Sequence, residues 1–403
     1  MNIRTQLFID KIVAKPLAHI LNIFVRIVGK ILAIDHNLNK EFKTIAICKF
    51  KGMGSIIQAT PMIFALKNRF PNSKIIFISS KSNQSFLKKI TWIDAVVCVD
   101  ESSFFKFITS NVKALLYLIK NRPEVIFDLE IYSNYSTLFT LFTFSKNRIG
   151  FYLRSSSYKM GIYTHMMFFN PRVPISEVYL QLAKTIGCDT DGAHLFSLSE
   201  NESDAEKASD KYIIINPNAS DLRLERRWNK SNFIELIELI LINYPDLEVL
   251  LIGSANEKEY TDEIFSKIKN QRLKNLAGKT SIDELTKLIA NAALMISNDT
   301  GPMHIAFCTK TPIICLFGPC SPDQYGMSEF AHIIYKNAYC SPCVHDFEIP
   351  PCKGDNVCMK LISTKEVFSL FQKLNENPTM KSEFAGQEFV YINDKIVLGK
   401  VIR

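Results

Sequence analysis

The stretch Leu294-Met-Ile-Ser-Asn-Asp-Thr-Gly-Pro-Met-His-Ile-Ala306 carries the plan of the whole chain. It opens as a short apolar run suited to a buried strand, breaks at Asp299-Thr300-Gly301, and resumes with helical character. Strand, tight turn, helix is the repeating unit of a parallel sheet covered on both faces. At such a junction the first backbone N–H groups of the helix have no helical partner, so the turn can receive an anion. The Thr300 hydroxyl and a close backbone approach at Gly301 suit that role. His304, one turn further on, can donate to the same anion. The plainer reading is a helix capped by Asp299 or Thr300, with His304 merely packed.

The same pattern repeats in both directions. Tyr212-Ile-Ile-Ile-Asn216, 248–252 and Pro312-Ile-Ile-Cys-Leu-Phe317 read as further strands, with a helix over 231–243. Upstream, Thr44-Ile-Ala-Ile-Cys48, Lys74-Ile-Ile-Phe-Ile-Ser79, Ala95-Val-Val-Cys-Val99 and Val125-Ile-Phe-Asp-Leu129 form an earlier set. Gly52-Met-Gly54 turns the first of these into a helix that runs through Arg69. The fold class is therefore α/β, with two Rossmann-like, doubly wound domains facing a cleft. The ligand-bearing loops of open α/β sheets follow the carboxyl ends of the strands. There the second domain places Asn216-Pro-Asn-Ala-Ser220, Arg226-Arg-Trp228, Gly253-Ser-Ala-Asn-Glu257, Asp299-Thr-Gly301 and Gly318-Pro319. An Arg pair beside a Ser, an Asp-Thr-Gly turn and a Gly-Pro turn would surround a diphosphate.

Length and composition agree with two large cores. The chain has 403 residues, 47% hydrophobic and 22% charged, which excludes disordered and collagen-like classes. Lys and Arg exceed Asp and Glu by 48 to 40, a mild basic balance suited to nucleotides, phospholipids or acidic glycans. Nothing calls for a nucleic-acid partner. The expected division is a helix over 1–40, a first domain over 41–198, a polar linker over 199–211, a second domain over 212–375 and a tail over 376–403. The tail has alternating strand character around Asn393-Asp394.

Residues 1–40 stand apart. Lys11, Lys15, His19, Asn22, Arg26 and Lys30 recur at helical spacing, with Leu17, Ile20, Leu21, Phe24, Val28, Ile31 and Leu32 between them. A basic stripe on an apolar helix suits an anionic membrane surface, and a helix docked on its own protein is the other reading. No run has the uninterrupted length of a spanning helix, and Pro16–Val25 ends at Arg26 without a cleavage signal. These features predict a cytoplasmic protein, peripheral on the inner face of the membrane if the stripe binds lipid.

Taken in order, these motifs resemble glycosyltransferase family 9, the ADP-heptose:lipopolysaccharide heptosyltransferases. The opening K-F-K-G-M-G-S-I-I-Q-A-T-P (49–61), the middle F-D-L-E…R-I-G (127–150) and D-T-G-P-M-H-I-A (299–306) carry the resemblance, which runs from about Thr44 to Leu374. It implies a GT-B architecture and an inverting, metal-independent transfer from a nucleoside-diphosphate sugar, such as a heptose, to a lipopolysaccharide or lipid-linked glycan. Carried over, Ser220 and Arg226 touch the donor phosphates, Glu257 holds the ribose, and Asp299, Thr300, Gly301 and His304 line the diphosphate. The chain departs from the family at one point: Gly54-Ser55 stands where the family has Gly-Asp, and that Asp is its general base. Ser55 has no basic group to take the acceptor proton. Asp128 and Glu130, at a strand end, are the candidate replacements, with polar capping of the sheet edge as the alternative. A degenerate sugar-nucleotide or glycan-binding protein is the rival function. A Rossmann oxidoreductase ranks far lower, because no G-x-G-x-x-G follows either first strand.

Ten cysteines without an export signal read as thiols or metal ligands. Cys340, Cys343, Cys352 and Cys358 lie in one short Pro-rich loop, with Cys320 and His345 nearby, and resemble a four-thiolate zinc or iron–sulfur site. Packed or paired thiols are the alternative. No cofactor is expected for catalysis.

Overall fold

The computed structural model of the chain describes residues 3–198, 212–219, 223–326, 328–344, 352, 355–376, 388–392 and 395–399. The chain divides into two compact units, Met1–Phe196 and Ser197–Arg403. The expected linker over 199–211 lies outside the described residues.

The first unit is a six-stranded parallel sheet of β1 (Thr44–Cys48), β2 (Lys74–Ser80), β3 (Ala95–Val99), β4 (Val125–Asp128), β5 (Asn147–Tyr152) and β6 (His165–Phe168). Its strand order is β3-β2-β1-β4-β5-β6, the doubly wound order that reverses between β1 and β4. Cys48 at the end of β1 is in register with Asp128 at the end of β4, so the loops after both strands emerge side by side. The apolar runs are continuous because both faces are covered: Ile45, Ala46, Ile47 and Cys48 are all fully buried. The helix expected to run to Arg69 is two helices, Met53–Gln58 and Thr60–Arg69. The break falls at the Thr60-Pro61 pair, since proline lacks the N–H that would continue the first helix.

The second unit repeats the arrangement. Its strands are β7 (Tyr212–Asn216), β8 (Glu248–Leu251), β9 (Leu273–Asn275), β10 (Leu294–Asn298), β11 (Ile313–Phe317) and β12 (Ala331–Tyr335). The order β9-β8-β7-β10-β11-β12 is that of the first sheet. Asn216 pairs in register with Ser297, which brings the loop after β7 beside the Asp-Thr-Gly turn. Four of the strands, β5, β6, β9 and β12, escape the sequence pattern because they are edge or near-edge strands with polar or aromatic residues, such as Asn147, His165 and Lys274. In the tail, β13 (Glu388–Ile392) and β14 (Lys395–Gly399) form an antiparallel pair.

The N-terminal segment is helical from Ile3 to Leu32, with a π-turn over Asp10–Ala14 just before Pro16. One expectation for it needs correction. Thr5–Leu32 is long and apolar enough to cross a membrane by length and composition, because Lys15 and Arg26 are the only charged residues between Ile12 and Gly29. Of the basic stripe, Lys11, Lys15 and Lys30 are exposed, while other members are engaged. Arg26 Nε donates to Met160 O at 2.9 Å, the His19 ring stacks on Tyr158 at 3.9 Å, and Asn22 is buried. The helix docks on its own unit through Ala14 and Ala18, against Leu138 and Ile162.

Candidate functional site

In the second unit, β10 ends at Asn298 and the helix Gly301–Cys308 begins within three residues. Thr300 is the N-cap, in extended backbone, and its side chain makes no capping bond to the helix. Its hydroxyl instead accepts from Asn216 Nδ2 at 2.8 Å, leaving the first helical N–H groups without a side-chain cap. Asn298 Nδ2 donates to Pro217 O and Asn218 O, at 3.0 and 3.1 Å, while its Oδ1 accepts from Trp228 N at 3.2 Å. One asparagine thus ties the turn after β10 to both ends of the loop after β7.

Trp228 fixes the far end of that loop. It is completely buried, and its Nε1 donates to Ile362 O at 2.9 Å. The two residues before it are thereby held over the turn. Arg226 Nη1 lies 3.3 Å from Asp299 Oδ2, and the Arg227 guanidinium stacks on Tyr260 at 4.0 Å. Burial opposes the charge on Arg226, but Asp299 outweighs it and holds the guanidinium firmly protonated. Among the described residues, Arg226 Nε and Arg227 Nε are buried without a hydrogen-bond partner. Buried N–H groups are rarely left so, and a phosphate oxygen is the acceptor they suit.

His304 is brought to the same place, 3% exposed, edge-on to Phe307. Burial pushes its imidazole down to about 4, with Asp299 opposing and Arg226 assisting. It is therefore neutral near pH 7, and any hydrogen bond it gives an anion comes from a neutral ring N–H. Cys320, which sequence reasoning left beside the metal loop, is buried and hydrogen-bonded to Asp299, so it belongs to this site as well. Glu257 closes a capping box: its Oε2 accepts from Ser254 N and Oγ, both at 2.8 Å. Gly253, just before it, leaves no room for a side chain, since a Cβ there would meet Asn218 Nδ2 at 2.6 Å. Ser220 lies outside the described residues.

The first unit presents a different group. Glu130 accepts from Lys49 Nζ at 2.8 Å through Oε2, and from Phe50 N and Lys51 N at 2.9 Å through Oε1. Burial alone would push this carboxyl up; Lys49 and the two N–H groups outweigh it and hold Glu130 below its ordinary range. Asp128 is fully buried, accepting from Tyr163 Oη at 2.6 Å and Glu130 N at 2.9 Å. Burial pushes it up to about 6 despite those bonds. Both carboxylates expected near an acceptor are thus already engaged by groups of their own unit. Glu130 spends both oxygens on shaping the loop after β1, and Asp128 is sealed beneath it. Ser55, half-buried in the helix Met53–Gln58, is hydrogen-bonded to the buried Tyr179. Gly52 before that helix has φ +84°, the left-handed conformation that favours glycine.

The cysteine loop folds back on the turn after β11: Cys343 N and Val344 N both donate to Pro319 O, at 2.9 and 3.0 Å. Burial, then Cys340 and Cys352, raises the Cys343 thiol, and burial pushes Cys358 up to about 11 with the other three contributing. The four sulfurs are thus within electrostatic reach of one another. Among the described residues, however, no three His, Cys, Asp or Glu side chains are already arranged to hold a metal ion. The expected closed cage is not preformed; His345 lies outside the described residues.

Known proteins resemble this chain in sequence and fold. The chain is 25% identical to lipooligosaccharide heptosyltransferase 2 of Campylobacter jejuni serotype O:6 over 332 residues, 81% of this chain and 91% of that one. It is 26% identical to lipopolysaccharide heptosyltransferase 3 of Escherichia coli K12, over 66% of this chain and 79% of that one. The solved structure of E. coli ADP-heptose lps heptosyltransferase II superposes with a TM-score of 0.66 at 20% identity, covering 84% of this chain and 99% of that one. The two sheets are thus those of the GT-B fold. The profile of glycosyltransferase family 9 (heptosyltransferase) matches residues 125–352, more than half of the chain. With its Asp-Thr-Gly turn and its paired doubly wound sheets, the chain belongs to glycosyltransferase family 9.

Proposed function

We propose that the chain transfers a heptose from a nucleoside diphosphate, ADP-heptose in the first place, to a lipopolysaccharide core or related lipid-linked glycan. The work is done at the inner face of the cytoplasmic membrane, where a lipid-borne acceptor resides. One observation carries the reading: the uncapped N-terminus of the helix Gly301–Cys308 stands beside Arg226 and Arg227, whose buried Nε atoms lack acceptors among the described residues. The names of the relatives supply the sugar and the acceptor class. No catalytic cofactor takes part.

In this reading the anomeric carbon loses its bond to the diphosphate oxygen and gains one to an acceptor hydroxyl, whose proton leaves to a base. Arg226, Thr300 and the helix N-terminus meet the charge that develops on the departing diphosphate, with His304 donating as a neutral ring and Asp299 aiming Arg226. Ser220 touches the same phosphates, and Glu257 holds the ribose through Oε1, the oxygen outside its capping box. Titrating ADP-heptose, GDP-sugars and UDP-sugars while following the melting temperature tests the donor, since a ligand bound only by the folded state raises it by mass action. A shift with none of them removes the reading.

A second reading, a binding protein that does not turn over, is favoured by Ser55 and by the engagement of Glu130 and Asp128. Release of nucleoside diphosphate in the presence of acceptor separates the two. We read the four cysteines as a structural site that closes on zinc or an iron–sulfur cluster when thiolates form. Four soft donors within electrostatic reach support it. Its place against Pro319 makes it a brace for the donor loops rather than a participant.

A further inference from the structure

The N-terminal helix docks on its own unit through a narrow strip: Ala14, Ala18 and Asn22 are buried, Asp10 Oδ1 accepts from Asn134 N at 2.9 Å and Tyr135 N at 2.7 Å, and Arg26, though exposed, reaches back to Met160 O. Its apolar side faces outward. Phe8, Ile12, Ile20, Phe24, Ile27 and Ile31 are each between 55% and 75% exposed. At helical spacing, residues 20, 24, 27 and 31 share one stripe, and exposed Lys15, Arg26 and Lys30 lie along its flank.

A second helix, Phe104–Asn121, does the same. Ala114 and Leu118 pack on the first sheet, while Phe104, Phe105, Ile108, Val112 and Leu116 look outward, Phe105 at 76% exposure. Its charged residues are Lys106, Lys113 and Lys120, with no acid. Both helices belong to the same side of that sheet. Phe104–Asn121 shares its core with Phe139 of the helix Asn134–Phe142, and the N-terminal helix lies over that same helix at Leu138. Gln6 Nε2 reaches Glu101 at 3.4 Å, just ahead of Phe104, so the two apolar faces approach one another. A cavity of about 1030 Å³ continues the first face, sharing Phe24 and Leu32 with it and adding Phe144 and Phe168; no acidic residue lines it.

We infer that these two outward apolar faces seat the first unit in the surface of an anionic lipid bilayer, with the N-terminal helix lying along the membrane plane. Monomeric proteins rarely leave apolar patches of this extent in water. The charges choose the occupant. The flanks are basic, so a second copy would set like charges against each other, whereas anionic headgroups neutralise them. A spanning orientation would tear Asp10 and Arg26 from their partners on the protein.

The inference rests on the lipid-linked acceptor proposed above, yet its test needs no sugar transfer. The full chain is mixed with phosphatidylcholine vesicles, with and without phosphatidylglycerol, and floated. Binding to the anionic vesicles is expected, and part of it should survive high salt, because apolar burial is not screened. Phe24→Glu and Phe105→Glu should each lower partitioning about tenfold or more, the loss of one buried aromatic. Both side chains are outward, so melting temperature and nucleotide affinity should stay unchanged. A Phe24→Trp variant should be quenched by brominated lipid beyond the wild-type level. Vesicle binding insensitive to both Glu variants overturns the inference, as does a wild-type chain left in the supernatant. So does a dimer that these variants split, which would give the face to a second copy. Resistance to alkaline extraction with protease protection would make Thr5–Leu32 a spanning helix instead.

Discussion

Arg226 and Asp299 form an ion pair at 3.3 Å, 20% and 4% exposed, in which the arginine keeps a buried Nε with no acceptor among the described residues. The carboxylate aims the guanidinium without saturating it. A diphosphate arriving at the helix N-terminus would therefore find a donor already oriented, with its side-chain entropy already lost. Arg226→Ala should weaken nucleoside-diphosphate binding by roughly ten- to a hundredfold, or about 1.5–3 kcal/mol. Thr300→Ala should cost less, since the hydroxyl already accepts from Asn216. Calorimetric titration of both variants checks the order; equal affinities in wild type and Arg226→Ala would place the phosphates elsewhere.

The neutral state of His304 fixes a pH dependence. Its folded pKa is about 4, below the ordinary value of 6.5, so between those limits the unfolded chain binds more protons than the folded one. Stability from this residue is complete above about pH 6.5 and is lost as pH falls toward 4, about 3 kcal/mol in all. Asp128 runs the other way. Its folded pKa of about 6 lies above 3.8, so its burial costs stability as pH rises through that window. Urea titrations at pH 7 and 4.5 should therefore separate His304→Gln from wild type, the wild type losing more on acidification. Donor affinity should not strengthen at pH 5 through this residue, as it would if an imidazolium held the phosphate.

Glu130 offers a direct contrast between base and brace. Glu130→Gln leaves Lys49 buried and charged with no counter-ion, a change that costs about 3–5 kcal/mol when a buried pair is broken. The expected outcome is a lower melting temperature and a disturbed loop after β1. The acid limb of the kcat profile should stay where it is, since this carboxylate does not take the acceptor proton. A shifted limb with an unchanged melting temperature would restore Glu130 as the base.

The continuous apolar runs made both sheets legible, because burial on both faces is written locally in segments such as Thr44–Cys48 and Leu294–Asn298. The Asp-Thr-Gly turn was legible for the same reason: strand, cap and helix follow one another along the chain. What escaped were facts of partnership. Nothing in Phe-Asp-Leu-Glu says that Glu130 turns back to the loop after β1, or that Asp128 meets Tyr163 from 35 residues away. Asn216 was legible as the start of a ligand-bearing loop, but not that its amide meets Thr300, nor that Asn298 ties that loop to the turn after β10. The signal they left was an amide at the carboxyl end of each of two paired strands. The N-terminal helix was legible as amphipathic, but an amphipathic period fixes two faces and not which one docks.

Cys340, Cys343, Cys352 and Cys358 should carry metal if their mutual reach reflects a site that closes on ligation. Protein purified anaerobically without chelator is expected to hold about one zinc, or one iron–sulfur cluster, per chain. Cys343→Ser should release it and lower the melting temperature, since thiolate ligation couples metal binding to local folding. Elemental analysis reading far below one metal per chain would leave these thiols as packing groups.

Ser55 is the sharpest test of whether the chain turns over. It sits in the first turn of the helix Met53–Gln58, half-buried, hydrogen-bonded to Tyr179. A carboxylate here would gain from the helix N-terminus and from Lys49, whose ammonium Glu130 holds charged against burial. It would stay ionised, and unlike Asp128 it would not be fully buried. A positioned base contributes roughly 10²–10⁴ in rate, about 3–5 kcal/mol of barrier. Ser55→Asp should therefore raise kcat toward that factor with little change in donor affinity, an effect confined to the transition state. Ser55→Ala should leave the wild-type rate nearly unchanged, because a serine hydroxyl accepts no proton at neutral pH. Loss of transfer in Ser55→Ala, with no gain in Ser55→Asp, would mean that the Ser55–Tyr179 pair itself serves the acceptor hydroxyl.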